Sequence, residues 1–203
     1  ILQSMRIQQA AGLNGNRYAT FHQLGKEQAQ KLHEDDRLYD VGDTIFIGST
    51  PLGNSSLSLY LREYHDNALS MYPAIGNVKE GRLPEEAIEI ALSEDALQYL
   101  GLDAVIGDTV SLDLGVSVMD GSLSELEYSA DFVLTGILES SYIGYASGTV
   151  EGIVGEGTAE ELLPEEYLLY STDFKTYDKL NFQSLISPHA EASNVDDRYH
   201  QYN

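Results

Sequence analysis

The 203-residue chain has no cysteine and no tryptophan. Without cysteine there is no zinc finger, thiol nucleophile or disulfide scaffold. The same absence fixes no compartment, because a cytosolic protein and a disulfide-free secreted one share it. Basic residues are scarce, with 11 Lys and Arg against 33 Asp and Glu, and the formal net charge is -22. A phosphate backbone is repelled by such a chain, so no nucleic-acid partner is expected. Flat docking on an anionic membrane surface is disfavoured for the same reason. The plain reading of the charge is solubility and self-avoidance; the sharper reading is attraction for cationic peptides or metal ions. No apolar run approaches the ~20 residues of a membrane span. Hydrophobic content of 42% belongs to a globular chain, long enough to bury a core in one large domain or two small ones.

Catalytic signatures are missing as well. Of the histidines His22, His33, His65, His189 and His200, none forms an HExxH motif or an i, i+4 pair that would share a helical face. His65-Asp66 is the close His–carboxylate neighbour of note, and adjacent side chains diverge on most backbones, so a polar surface role is preferred to a metal or general-base role. No Gly-x-Ser-x-Gly elbow occurs. Gly152-x-x-Gly155-x-Gly157 lacks the Lys-Ser/Thr ending of a phosphate loop and is crowded by Glu151, Glu156 and Glu160. Asp120-Gly121 lacks the oxygen ligands of a calcium loop and reads as a turn. No enzyme, cofactor or metal site is assigned from these residues.

The element pattern is mixed. Residues 1–16 look like the tail of a helix. A strand is expected over Tyr18–Gln23, a helix over 24–33, and strands over Val41–Gly48 and around Leu57, Leu59 and Leu61, the last two joined as a hairpin by the turn signals Pro51, Gly53 and Asn54. The segment GRLPEEAIEIALSEDALQYLG (81–101) can be one long helix or a strand followed by a short one. Ile88, Ile90 and Leu92 alternate, and a helix would set Ile88 and Ile90 about 200° apart. Ser93 suits an N-cap, with Glu94 and Asp95 where the dipole favours negative charge, and Gly101 suits the C-terminal cap. Strand 87–92 and helix 94–100 are therefore expected. Strands at Val110–Leu114 and Tyr128–Leu138 follow, with a hairpin turn at Asp120-Gly121 and a bulge at Gly136. Residues 144–157 are glycine-rich and read as a flexible loop or irregular strand. A strand over Pro164–Thr172, a helix over Asp173–Leu180, a strand over Phe182–Ile186 and a helix over Glu191–Tyr202 complete the reading. Strand–helix units at both ends and hairpins between them make an α+β pattern.

One ordered set of motifs stands out: Glu80-Gly81-Arg82-Leu83-Pro84; Glu89-Ile90-Ala91-Leu92-Ser93; Ala96; Leu100-Gly101; Ile106-Gly107-Asp108-Thr109-Val110; and Phe132-Val133-Leu134-Thr135-Gly136-Ile137-Leu138. This order resembles the extracytoplasmic, MacB-like periplasmic core domain of FtsX/MacB-type ABC transporter permeases. There an "EGR" loop leads into a strand, an "LSE" cap opens a short helix ending in "LG", "IGD" starts the next strand, and a "VTGI"-type strand follows. The resemblance runs clearly over residues 18–140 and loosely beyond. It implies a porter-like mixed α/β subdomain from both chain ends, expected at 1–60 and 141–203, with a mostly β subdomain inserted at 61–140. It also implies a domain excised from between two membrane helices, which suits a chain opening on Ile1 and stopping at Tyr199-His200-Gln201-Tyr202-Asn203.

The implied function is transmission without catalysis in this chain. The expected partners are the transmembrane helices of its own permease, a cytoplasmic ATPase, a permease dimer partner, and a peptide or lipid cargo, with the terminal helices as coupling stalks. The charge alone supports a different reading, a stand-alone secreted or surface module for cationic peptides. A partner or substrate contact is expected at the glycine-rich loop: Tyr142 and Tyr145 beside it, and Gly148, Gly152 and Gly155 within it. The alternative there is a mobile tip without a role.

Overall fold

The computed structural model describes residues 17–140, 144–177, 181–189 and 194–196. In chain order the elements are β1 (Ala19–Leu24), α1 (Lys26–His33), β2 (Leu38–Pro51), β3 (Ser58–Tyr64), β4 (Val78–Gly81), β5 (Glu89–Ser93), α2 (Glu94–Tyr99), β6 (Thr109–Asp120), β7 (Ser122–Leu138), β8 (Thr149–Val154), α3 (Thr158–Leu162), β9 (Tyr170–Thr176), α4 (Phe182–Ile186) and β10 (Asn194–Asp196). Short 3-10 turns lie at Leu69–Met71, Gly144–Ser147, Glu165–Tyr167 and Ser187–His189. None of the described helices is long and apolar enough to cross a membrane. The architecture is α+β, as the sequence pattern implies.

Two units form. The first comprises 1–45, 64–74 and 169–203, the second 46–63 and 75–168. In the first, the strand order is β10-β1-β9-β2, and each of the pairs β1–β10, β1–β9 and β2–β9 is antiparallel. Its core gathers Tyr18, Phe21, Leu24, Ala29, Leu32, Ile45, Met71 and Phe174, all at most 2% exposed. Phe174 centres this core, with the ring of Phe21 at 5.6 Å and that of Tyr18 at 6.0 Å. In the second unit the order is β2-β3-β8-β5-β7-β4, with β6 paired to β7. The β3–β8 and β5–β7 pairs are parallel, and β5–β8, β4–β7 and β6–β7 are antiparallel. Ile47, Leu59, Leu61, Ile90, Leu92, Phe132 and Leu134 are sealed inside it.

Residues 81–101 divide as the alternation requires, β5 then α2. The Ser93 hydroxyl caps α2 by accepting from the Ala96 N–H at 3.2 Å. At the other end Gly101 takes φ +70°. Its N–H reaches the Gln98 carbonyl at 3.0 Å, and the Leu102 N–H reaches that of Leu97 at 2.9 Å. This double bond is a Schellman motif, which needs a left-handed residue there. The bulge also appears: the β5–β7 register slips between Ile90↔Leu134 and Ala91↔Gly136, leaving Thr135 extra. Gly121 turns the β6–β7 hairpin at φ +72°.

Of the flexible loop or irregular strand expected over 144–157, residues 149–154 form strand β8, which lies between β3 and β5 and is mostly buried. Four other element expectations need correction. The helix expected at Asp173–Leu180 is, over its first four residues, the end of β9, whose Thr172, Asp173, Phe174 and Thr176 are buried; residues 178–180 lie outside the described part. Pro164–Thr172 enters β9 only at Tyr170. Phe182–Ile186 is helix, not strand, since a short apolar run fits either period. In the helix expected at Glu191–Tyr202 the described residues 194–196 are strand β10, and the rest, like 1–16, lies outside the described residues. The two units divide at 45/46, 63/64, 74/75 and 168/169, alongside the subdomain boundaries 60/61 and 140/141 that the resemblance implies. β8 lies in the second unit with its partners β3 and β5.

Candidate functional site

In the second unit one face of the β6–β7 hairpin is exposed. Its sequence alternates, so Val110, Leu112, Leu114, Val116, Ala130, Phe132 and Leu134 turn inward and are buried. The opposite face carries Ser111, Asp113, Ser117 and Met119 on β6, and Leu123, Glu125, Glu127, Ser129, Asp131 and Val133 on β7, all exposed. The register sets Ser111 opposite Asp131, Asp113 opposite Ser129, Gly115 opposite Glu127, Ser117 opposite Glu125 and Met119 opposite Leu123. Each carboxylate of this face therefore meets a serine or glycine across the ladder, and the apolar pair closes the tip. The hydroxyls of Ser111 and Ser129 donate to Asp131 and Asp113 and orient those two carboxylates. On the inner side the half-buried Tyr128 donates its hydroxyl to the Ile47 carbonyl, and burial pushes its pKa up.

The charge around this face is one-sided. From Leu83 to Phe174 the sequence has no Lys, Arg or His, and 20 Asp and Glu. The second unit holds 21 acidic residues and three basic ones, a net -18 of the chain's -22; the first holds the remaining -4. The three cations are all committed. Arg62 pairs with Glu151 and sits over the rings of Phe46 and Tyr60 at 5.6 and 5.4 Å. Lys79 pairs with Glu94 at 2.9 Å, and Arg82 with Glu89 at 2.6 Å. Glu89 also accepts from the N–H groups of Glu85 and Glu86, each at 2.9 Å.

The first unit has polar joints of a different kind. Arg37 grips Asp35 through Nε at 2.9 Å, Nη2 at 2.6 Å and its own N–H at 3.0 Å. Its guanidinium also donates to the carbonyls of Ser184 and Leu185 at 2.9 and 3.0 Å, and His189 Nε2 lies 2.8 Å from Asp35. The segment 182–189 is thereby fastened to the turn after α1, and the Arg37 hydrogen bonds hold the Asp35 carboxyl well below the usual range. Further along, His33 Nε2 lies 2.8 Å from Asp43 Oδ2, and Thr172 donates to Asp43 Oδ1 at 2.6 Å. Asp66, at φ +54°, completes a group whose ligand atoms lie within 4.8 Å of one another. Among the described residues this is the group with the spacing to hold a divalent cation, an imidazole with two carboxylates. The His33–Asp43 contact already uses two of those atoms to fix α1 on β2. Deeper still, Asp173 meets Arg17 at 3.3 Å, accepts from Thr20, and accepts from Tyr72 at 2.8 Å; burial and Asp173 raise the Tyr72 pKa.

The residues expected at the site fall as follows. Tyr142 lies outside the described residues. Tyr145, half-buried, donates its hydroxyl to Asp95 at 2.5 Å beside Ser140 at 2.8 Å, and burial and Asp95 push it up to about 12. Gly148 gives its carbonyl to the Ser58 N–H at 2.9 Å. Gly152 and Gly155 are enclosed: a Cβ on Gly152 would lie 2.6 Å from Leu61 Cδ2, and one on Gly155 would lie 1.9 Å from the Glu86 carbonyl oxygen. The sequence reading missed the hairpin face and the His33–Asp43–Asp66 group. The first was signalled by the alternation Asp113, Glu125, Glu127 and Asp131 without an intervening cation. The second joins three distant positions and left no local signal.

No family model and no curated protein matches this sequence. Among solved structures the chain is similar to the crystal structure of the periplasmic region of MacB from Actinobacillus actinomycetemcomitans. That match has TM-score 0.56 and 15% identity, and covers 95% of this chain and 94% of that one. It is also similar to the crystal structure of the extracellular domain of YknZ, a noncanonic ABC-type transporter from Gram-positive bacteria, with TM-score 0.50 and 12% identity over 86% of this chain and 88% of that one. At such identities the likeness is one of fold, and the fold is the MacB-like extracytoplasmic one.

Proposed function

We propose that this chain is the extracytoplasmic domain of an ABC transporter permease, coupling cytoplasmic ATP hydrolysis to export of a substrate or action on a partner outside the membrane. The observation that carries this reading is end-to-end coverage: the likeness to the MacB periplasmic region spans 95% of this chain and 94% of that one. A fold by itself hosts many functions, but a match of whole domain to whole domain leaves no added catalytic module to explain. The first unit, built from both chain ends, is the porter-like part. Its Asp35–Arg37–His189 joint lies on the path from the described core toward the C-terminal end, where a membrane stalk would attach. The partners are then the permease's own transmembrane helices, an ATPase domain or subunit in the cytoplasm, a second permease copy, and a peptide or lipid cargo. The domain performs no chemistry; it is an element with two arrangements biased from a distance.

The test uses the full-length permease reconstituted with its ATPase. Replacing residues 17–196 by a short flexible linker should abolish export while ATP hydrolysis continues, and the separate 203-residue chain should hydrolyse no ATP. Unchanged export without the domain, or ATPase activity in the isolated chain, would overturn the proposal. The second reading, a secreted or surface module for cationic peptides, draws on the net -18 of the second unit. The flanks of the open reading frame separate the two: apolar runs of ~20 residues on both sides belong to a permease, a cleavable signal peptide alone to a secreted module.

A further inference from the structure

We propose that the outward face of the β6–β7 hairpin is a docking strip for an extended cationic segment of a partner, one with Lys or Arg at alternate positions and a terminal apolar residue. The face would serve this role whether or not the domain is tethered to a membrane.

In an antiparallel ladder, opposite charges directly across from each other are the favourable arrangement. Here the carboxylates Asp131, Asp113, Glu127 and Glu125 face Ser111, Ser129, Gly115 and Ser117. No cation lies on the hairpin, nor anywhere from residue 83 to residue 174, and the unit's three cations are already paired elsewhere. Four exposed carboxylates thus await positive charge that the unit does not supply. Successive residues on one side of a strand are about 6.8 Å apart, and diagonal neighbours about 7–8 Å. No three of these carboxylates bring oxygens within 4.8 Å of one another, a spacing that among the described residues belongs to His33, Asp43 and Asp66, so they do not form a metal-ligand group. They match the side-chain repeat of another extended chain, whose alternate residues step by the same distance. Ser111 and Ser129 hold two of the carboxylates in place beforehand, which lowers the cost of ordering them on binding.

The tip gives the second part of the recognition. Met119 and Leu123 are 61% and 57% exposed, and the register sets them directly opposite each other. Single exposed apolar residues are ordinary, but an opposed pair makes one patch at the end of the acidic strip. Methionine is an adaptable contact residue. An apolar anchor set at the end of a charged track fixes the direction in which the partner lies.

The test titrates the 203-residue chain with a fluorescein-labelled peptide of sequence Phe-Thr-(Lys-Thr)₄, whose Phe and Lys share one face when extended, read by anisotropy in 20 mM salt, with Phe-Thr-(Glu-Thr)₄ as control. Three variants are compared. The first carries Asp113→Asn, Glu125→Gln, Glu127→Gln and Asp131→Asn; the second carries Met119→Ser and Leu123→Ser; the third neutralises four carboxylates off the hairpin, Asp103→Asn, Glu161→Gln, Glu165→Gln and Glu166→Gln. The expected result is at least a tenfold loss of affinity and a shallower salt dependence in the first. The second should lose about threefold with its salt dependence unchanged, and the third less than twofold. Equal losses in the first and third, no loss in the first, or no binding of the basic peptide by the unaltered chain would overturn the proposal. The tip variant alters two exposed side chains only, so its reading does not depend on the amide variant folding.

Discussion

At the residue scale, the carboxylates with lowered pKa set the acid limit of the fold. Glu89 is the clearest: hydrogen bonds from Arg82, then from the backbone of Glu86 and Glu85, bring it down to about 2 against an opposing effect of burial. A depressed carboxyl contributes stability that is complete above its unfolded value of about 4.3 and is lost as the pH falls through the folded value. Glu89→Gln should therefore lower Tm by about 2–4 °C at pH 7 and change it little near pH 2. Thermal unfolding at both pH values checks this, and an equal deficit at both would contradict the assignment. Asp35 follows the same sign under Arg37 and His189. Residue-level features were legible where their cause is local. Ser93 as cap and Gly101 as left-handed C-terminus follow from a few neighbouring positions. The His33–Asp43–Asp66 group and the Asp173 network were not, because pairing across β1, β2 and β9 assembles them from separated parts of the chain.

Among elements, β8 decides between the two readings of GYASGTVEGIVGEG, flexible loop or irregular strand. Val150, Ile153 and Val154 are buried and the strand holds parallel register with β3 from Ser58↔Thr149 to Glu63↔Val154. Gly152 within β8 and Gly155 just after it answer to close packing, and the two should respond differently to a methyl group. On Gly155 it would strike the Glu86 carbonyl, which is backbone and cannot yield, so Gly155→Ala should cost about 3 kcal/mol. On Gly152 it meets the ends of Leu61 and Leu92, which can shift, so Gly152→Ala should cost about 1 kcal/mol. Urea unfolding of the two variants tests that order, and a Gly152→Ala loss equal to or above that of Gly155→Ala would refute it. The hairpin β6–β7 was legible from its Asp-Gly turn and alternation. The final elements were not: Asp173 and Thr176 look like helix-flanking residues until their burial partners are known, and five apolar-rich residues at 182–186 carry no period that separates helix from strand.

For the whole molecule, the uneven charge has a measurable consequence. The second unit concentrates -18 of the net -22, and like charges within one compact body repel. Added salt shortens the Debye length from about 30 Å at 0.01 M to about 10 Å at 0.1 M. Raising NaCl from 10 to 200 mM at neutral pH should thus increase Tm by about 2–4 °C, the equivalent of ~1 kcal/mol; a flat or falling Tm would show that the carboxylates do not repel significantly in the fold. The α+β class and the MacB-like fold were legible from the order of motifs spread over 80–138. The partners of β8 were not legible there. The pairing of β1 reaches further, into the life of the nascent chain. Its partners are β9 and β10, and Phe174 stands opposite Ala19. With synthesis at 5–20 residues per second, roughly 8–30 s pass between the making of Leu24 and of Phe174. For that interval β1 has neither of its partner strands to join. A strand made well before its partners is shielded late, and whatever carries the chain to its destination has to keep those six residues from pairing with a neighbour's.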